Sequence, residues 1–200
     1  MGRQPRRWSE SGFYHVVTRG NARQRLFHDE DDYRHYLRLT IVALTAATAA
    51  LYHYCLMPNH THVLLGVPQP ELLSRAMHQL QRRYFFHMRR KYRLTGHLFQ
   101  GRYHSFPIES DSYLLECGRY IERNPLQAGL VSDVADYLWS SYPWYASGRS
   151  REVVLTPSPS YLAMGETPQA RQAAYRPYVS TTRPYDRAMS QHLSEATVGV

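Results

Sequence analysis

The run Phe13-Tyr14-His15-Val16-Val17-Thr18 is rich in β-branched and aromatic residues and is closed by Arg19-Gly20-Asn21, which predicts a strand followed by a loop. Asp29-Glu30-Asp31-Asp32 then supplies acids at a helix start, and Tyr33, Leu37, Ile41 and Leu44 follow at helical spacing. Leu51 to Leu56 reads as a second strand, and His60 to Leu65 as a third joined to it through a Pro58-Asn59 turn. From Glu71 a long helix is marked by Leu73, Met77, Leu80, Tyr84 and Met88, ending at Thr95-Gly96-His97. Leu98 to Ile108 predicts a fourth strand, irregular near Gly101. Strand, helix, strand, strand, helix, strand is the order of a ferredoxin-like α+β sandwich, an antiparallel sheet with helices packed on it.

A further helix is expected over Ser112 to Arg123, bounded by Pro125 because the residue before a proline disfavours the α region. The aromatic segment Asp136 to Tyr145 reads as the closure of the core, with base stacking as the sharper alternative. This gives a flexible basic arm over residues 1–10, a main domain over 11–147, and a helical or irregular, partly disordered extension over 148–200. Within the extension, Thr167 to Tyr178 suits a helix and Ser180 to Val200 suits disorder.

The stretch Leu56-Met57-Pro58-Asn59-His60-Thr61-His62-Val63-Leu64-Leu65 carries the most pointed chemistry. Strand side chains alternate, so His60 and His62 share a face, and two imidazoles on one face can share a metal. A pair of half-buried strand histidines is the plainer reading of that spacing alone.

Charge changes the picture next. The net charge is +8, and no acid occurs between Glu71 and Glu109, where Arg75, Arg82, Arg83, Arg89, Arg90, Lys91, Arg93 and Arg102 lie. A field of one sign attracts polyanions, nucleic acid first. Cys55 and Cys117 lie far apart and form no metal or redox spacing; no secretory leader is expected from the basic, polar start, and the run Ile41 to Leu51 is too short to span a bilayer. The expected setting is cytoplasmic and nucleoid-associated, with no membrane partner.

On the helix before Pro125, Tyr113, Tyr120 and Asn124 share a face at spacings of seven and four. A phenol of pKa about 10 is a weak nucleophile at neutral pH and needs a divalent ion to stabilise charge on a phosphate. Composition and spacing do not single out Tyr120 among 17 tyrosines.

Three blocks in the right order do so: Met57 to Leu65, then Phe99-Gln100-Gly101-Arg102-Tyr103, then Arg119-Tyr120-Ile121-Glu122-Arg123-Asn124-Pro125-Leu126 onward to Val131. Together they resemble the single-tyrosine HUH transposases, and among these the REP-associated tyrosine transposases, from about Tyr14 to Tyr145. The resemblance implies Mg²⁺ or Mn²⁺ held by His60, His62 and Asn124, and attack by Tyr120 on single-stranded DNA at REP-like hairpins. It further implies a 5′-phosphotyrosine intermediate and rejoining by the freed 3′-hydroxyl. The middle of the His-x-His motif, usually apolar in the family, is Thr61 here, and the third ligand is an amide where other branches use Gln, Glu or His. Arg82, Arg83, Arg89, Arg90, Lys91, Arg93, Arg102, Arg6 and Arg7 are the expected phosphate contacts. A monomer is expected, with exchange of the tyrosine helix between two subunits as the alternative. Two other functions compete: a non-catalytic structured-DNA binder or repressor of the same fold, and an RNA-binding domain using Tyr52 and Tyr54 as a stacking pair.

Overall fold

The computed structural model describes residues 8–149 and 153–181. The element order is β1 (Phe13–Arg19), α1 (Glu30–Ala46), β2 (Ala50–Met57), β3 (His60–Gly66), α2 (Pro70–Tyr92), β4 (His104–Ile108), α3 (Asp111–Gln127), α4 (Tyr142–Ser147), α5 (Pro159–Leu162) and α6 (Pro168–Ser180). The sheet runs β2-β3-β1-β4, every neighbouring pair antiparallel. This is the ferredoxin-like α+β sandwich with a helical C-terminal region.

Alternation along the strands splits the interior in two. Tyr14, Val16, Tyr54, Leu56, Val63 and Leu65 meet Leu37, Leu44, Leu73, Met77, Leu80 and Tyr84 from α1 and α2. On the opposite face Val17, Cys55, Met57, Leu64, Phe106 and Ile108 meet Leu114, Cys117, Tyr120 and Ile121 from α3. Both free cysteines are buried in this second layer.

Several local features depart from the sequence pattern. The fourth strand is only five residues long; residues 98–103 are a loop, tied to the sheet by an isolated bridge between Gly20 and Phe99. A bulge between Leu51 and His53 puts Tyr52 and Tyr54 in different layers, Tyr54 in the core under α1 and α2 and Tyr52 against the α3 layer. They also lie on an edge strand, so the paired aromatic platform expected of an RNA-binding sheet is not formed.

At the N-terminal end, Ser9 donates from its hydroxyl to Glu109 and from its backbone to the Tyr14 hydroxyl. Past residue 147 the chain returns to the core, where Val153, Leu155, Tyr161, Tyr175 and Val179 are buried. The expected disorder of residues 182–200 and the arm over residues 1–7, with Arg6 and Arg7, lie outside the described residues. Among the described residues no helix is long and apolar enough to cross a membrane.

Candidate active site

Pro58 and Asn59 form a two-residue connection, with Met57 and His60 as the closing pair of the β2–β3 hairpin. From there β3 sends His60, His62 and Leu64 to the α3 side, while Thr61 points the other way, its hydroxyl 3.3 Å from that of Tyr36. The threonine in the middle of the motif is therefore a core contact beneath α1. The two imidazole centroids lie 4.9 Å apart. His60 Nδ1 donates to Asn59 Oδ1 at 2.7 Å, which leaves the ring's lone pair on Nε2.

A third histidine joins them. His15 on β1 is diagonal to His62 across the ladder, and its Nε2 lies 2.9 Å from His62 Nδ1. When His62 Nδ1 donates in this contact, its lone pair sits on Nε2, a buried atom without a hydrogen-bond partner. Arg19, directly opposite His60 in the register and on the same face, is half-buried beside this cluster. Among the described residues no acid pairs with its guanidinium.

From the other side α3 brings Tyr120, whose ring centroid lies 6.1 Å from that of His62 and 6.2 Å from that of His15. Its residue is 4% exposed, whereas Tyr113, the other tyrosine on that face of the helix, is 54% exposed. Asn124 is one turn further on. Its Nδ2 donates to the carbonyls of Tyr120 at 2.9 Å and Ile121 at 3.3 Å, leaving Oδ1 as the atom with ligand capacity. This contact also explains why α3 runs on to Gln127 instead of stopping before Pro125. Proline lacks the N–H that would bond the Ile121 carbonyl, and the asparagine amide supplies it.

The site is electrostatically dry. Burial, with Arg19 nearby, lowers the His60 pKa to about 4, and burial lowers that of His15 to about 3. His62 is pushed well below the ordinary imidazole range by burial, then by His60, His15 and Arg19. All three rings are neutral at pH 7, the form that binds metals. Each folded-state value lies below the unfolded value of about 6.5, so beneath that pH the unfolded chain binds more protons than the folded one. This stability is present above about pH 6.5 and is lost as pH falls from there through about 4 for His60 and about 3 for His15. Urea midpoints measured at pH 7.5 and pH 5 should therefore fall toward the acid side; a flat or rising midpoint would contradict neutral burial of the rings.

The expected phosphate contacts separate into groups. Arg82, Arg83, Arg89, Arg90 and Arg93 are exposed on or just after α2, a helix that covers the opposite face of the sheet from the histidines. Lys91 belongs to the same helix but is paired with Asp29 at 2.7 Å and Asp32 at 2.9 Å, pinning the end of α2 to the start of α1. Arg102 is exposed in the loop before β4. That loop is bonded to the end of β1 through Asn21 N to Leu98 O and Gln100 N to Arg19 O, beside His60. Among the described residues no three His, Cys, Asp or Glu side chains gather as a metal cluster.

Residues 9–124 match the family described as "Transposase IS200 like". The chain belongs to this transposase family. Among its relatives is a Haemophilus influenzae protein described as a REP-associated tyrosine transposase, 27% identical over 141 residues, covering 65% of this chain and 78% of that protein. A solved structure of a REP-associated tyrosine transposase bound to a REP hairpin shares the fold, with a TM-score of 0.62 and 17% identity over 79% of this chain and 97% of that one. Membership in a transposase family places the protein in DNA transposition. His15 and Arg19 are the two residues of this transposase's site that the sequence left unmarked. A lone histidine and an arginine in a β-rich run carry no signal until the β1–β3 register is known.

Proposed function

We propose that this transposase cleaves and rejoins single-stranded DNA at hairpin sequences, with Tyr120 as nucleophile and a divalent cation bound at His60 and His62. The observation that carries this reading is the convergence of Tyr120, from α3, with the β3 histidines on one sheet face. The hairpin substrate is suggested by the fold neighbour, which is bound to a REP hairpin.

The residues fit the cation. His60 and His62 are neutral, His60 presents Nε2 through its bond to Asn59, and the Nε2 of His62 is a buried orphan. Asn124 Oδ1, on the helix turn after Tyr120 and not used by the amide's own bonds, would be the third protein ligand, with phosphate and water for the remaining positions. Two imidazoles favour Mn²⁺ over Mg²⁺, which prefers oxygen ligands. Bound there, the cation would stabilise negative charge on the phosphate and the leaving oxygen.

The chain's own groups do the rest. The Tyr120 phenolic oxygen bonds to phosphorus as the bond to the 3′-oxygen breaks. The phenol gives up its proton and the 3′-oxygen gains one, leaving a 5′-phosphotyrosine and a free 3′-hydroxyl. Reversal by another 3′-hydroxyl rejoins the strands. Arg19, beside His60 and without an acidic partner among the described residues, is suited to a non-bridging phosphate oxygen. The test is incubation of the protein with a labelled single-stranded hairpin, with and without Mn²⁺. A covalent protein–DNA band that needs the ion supports the reading, and its absence under all conditions overturns it.

His15 should act on the ion through His62. His15→Phe keeps an aromatic of similar bulk but removes the partner of His62 Nδ1, and the expected result is a 10–100-fold loss of Mn²⁺ affinity, about the usual effect of losing such a support. Mn²⁺ paramagnetic resonance reads this without turnover; an unchanged affinity would make His15 a packing residue.

The burial of Tyr120 favours a second reading, a structured-DNA binder that does not turn over. The adduct assay separates the two.

A further inference from the structure

On α2, Arg82, Phe86 and Arg89 recur at intervals of four and three, so they form one stripe along the helix, and Arg93 is the left-handed cap residue that follows its last turn. It is the face opposite Leu73, Met77, Leu80, Tyr84 and Met88, which are buried against the sheet. Phe86 is 51% exposed, unusual for an aromatic of its size, and the Arg82 guanidinium lies over its ring at 5.9 Å. Among the described residues none of the stripe arginines is paired with an acid, unlike Lys91 on the same helix. An exposed ring set among unpaired guanidiniums is the make-up of a platform that stacks unpaired bases while binding the backbone.

The stripe begins at the catalytic end of the sheet. Helix α2 runs antiparallel to β3, and its C-terminal part is bonded there: the Tyr84 hydroxyl donates to Leu26 O, and Leu26 N donates to Pro58 O in the hairpin turn before His60. Arg102 lies at the same end, in the loop bonded to Arg19. A strand leaving His60 can therefore cross this end over Arg102 and Arg93 and continue along Arg89, Phe86 and Arg82. That path lies on the far side of the sheet from Tyr120.

We propose that the outer face of α2 is a second nucleic-acid surface, a track for single-stranded DNA flanking the hairpin. From Arg82 to the cap residue Arg93 the distance is about 17 Å at 1.5 Å per residue, room for a few nucleotides. The proposal rests on the strand-transfer reading only for the origin of the strand. Phosphate contacts hold the strand without reading its sequence, and the ring adds stacking that a duplex cannot supply.

The test is fluorescence anisotropy with the full chain and three oligonucleotides: a hairpin, the same hairpin with a twelve-thymidine tail, and the tailed hairpin with the tail made duplex. The single-stranded tail should tighten binding of the wild type about tenfold or more. Phe86→Ala should lose most of that gain. The double variant Arg82→Glu, Arg89→Glu should abolish it and flatten its salt dependence, because fewer counterions are released. All three side chains are exposed, so the substitutions leave the core intact. The proposal fails if the tail adds nothing to the wild type, if the variants keep the gain, or if the duplex tail binds as well as the single-stranded one. Binding is read without cleavage, so a missing covalent band would sink the strand-transfer reading and leave this result interpretable.

Discussion

Tyr120→Phe should yield no covalent protein–DNA adduct, a loss of about 10⁴-fold or more in the rate of its formation, as for other covalent nucleophiles. The substitution removes one oxygen and keeps the ring that lies beside His15 and His62, so the second buried layer stays packed. Its cost to stability should be no more than about 1 kcal/mol, the net worth of one hydrogen bond. Losing at most one such bond to the DNA should keep affinity for the hairpin within about fivefold of wild type, since 1.4 kcal/mol is needed for a factor of ten. That combination, intact binding and no adduct, is what separates an enzyme from a structured-DNA binder. Tyr113→Phe is the matched control. Tyr113 lies two turns away on the same helix and is more than half exposed, and its variant should form adduct like the wild type. Adduct that survives in Tyr120→Phe but vanishes in Tyr113→Phe would move the nucleophile and undo the site as drawn.

What the sequence shows of this site is what depends on local period. Alternation places His60 and His62 on one face, a turn dipeptide closes their hairpin, and a four-residue spacing puts Asn124 under Tyr120. What it hides depends on pairing between distant segments. His15 meets His62, and Arg19 meets His60, only through a β1–β3 register spanning more than forty residues of chain. The arginine stripe is visible as periodicity, but which face of the sheet it covers follows from the packing of α2. Pro125 is misleading because a side-chain amide replaces the missing backbone donor, a compensation that no propensity contains.

The same limit applies to the segment after Asn124, where the family match ends. Glu122, fully buried two residues after Tyr120, accepts from the Ser141 hydroxyl at 2.6 Å and the Tyr175 hydroxyl at 2.8 Å. It also accepts from His53 Nδ1 at 2.9 Å. Those donors come from the start of α4, from α6 and from β2. Its neighbours Arg119 and Arg123 donate to the last carbonyls of α6 and beyond, at Thr181, Val179 and Ser180, groups that a helix end leaves without internal partners. Helix α3 is thus clamped between the sheet and the C-terminal helix by side chains flanking the tyrosine.

Glu122→Ala strands three buried donors at once, and the expected loss is about 3–5 kcal/mol of unfolding free energy. For a chain of this size that lowers the melting midpoint by roughly 10 °C. Tyr175→Phe removes one of the three bonds and should cost about 1 kcal/mol. Urea denaturation reads both, and a Glu122→Ala variant as stable as Tyr175→Phe would show that the carboxylate does not join these elements. If the ranking is found, the helix that carries Tyr120 owes its position to residues some fifty places further along the chain. A protein truncated where the family match ends would then keep every side chain proposed for catalysis and lose the clamp that aims the tyrosine.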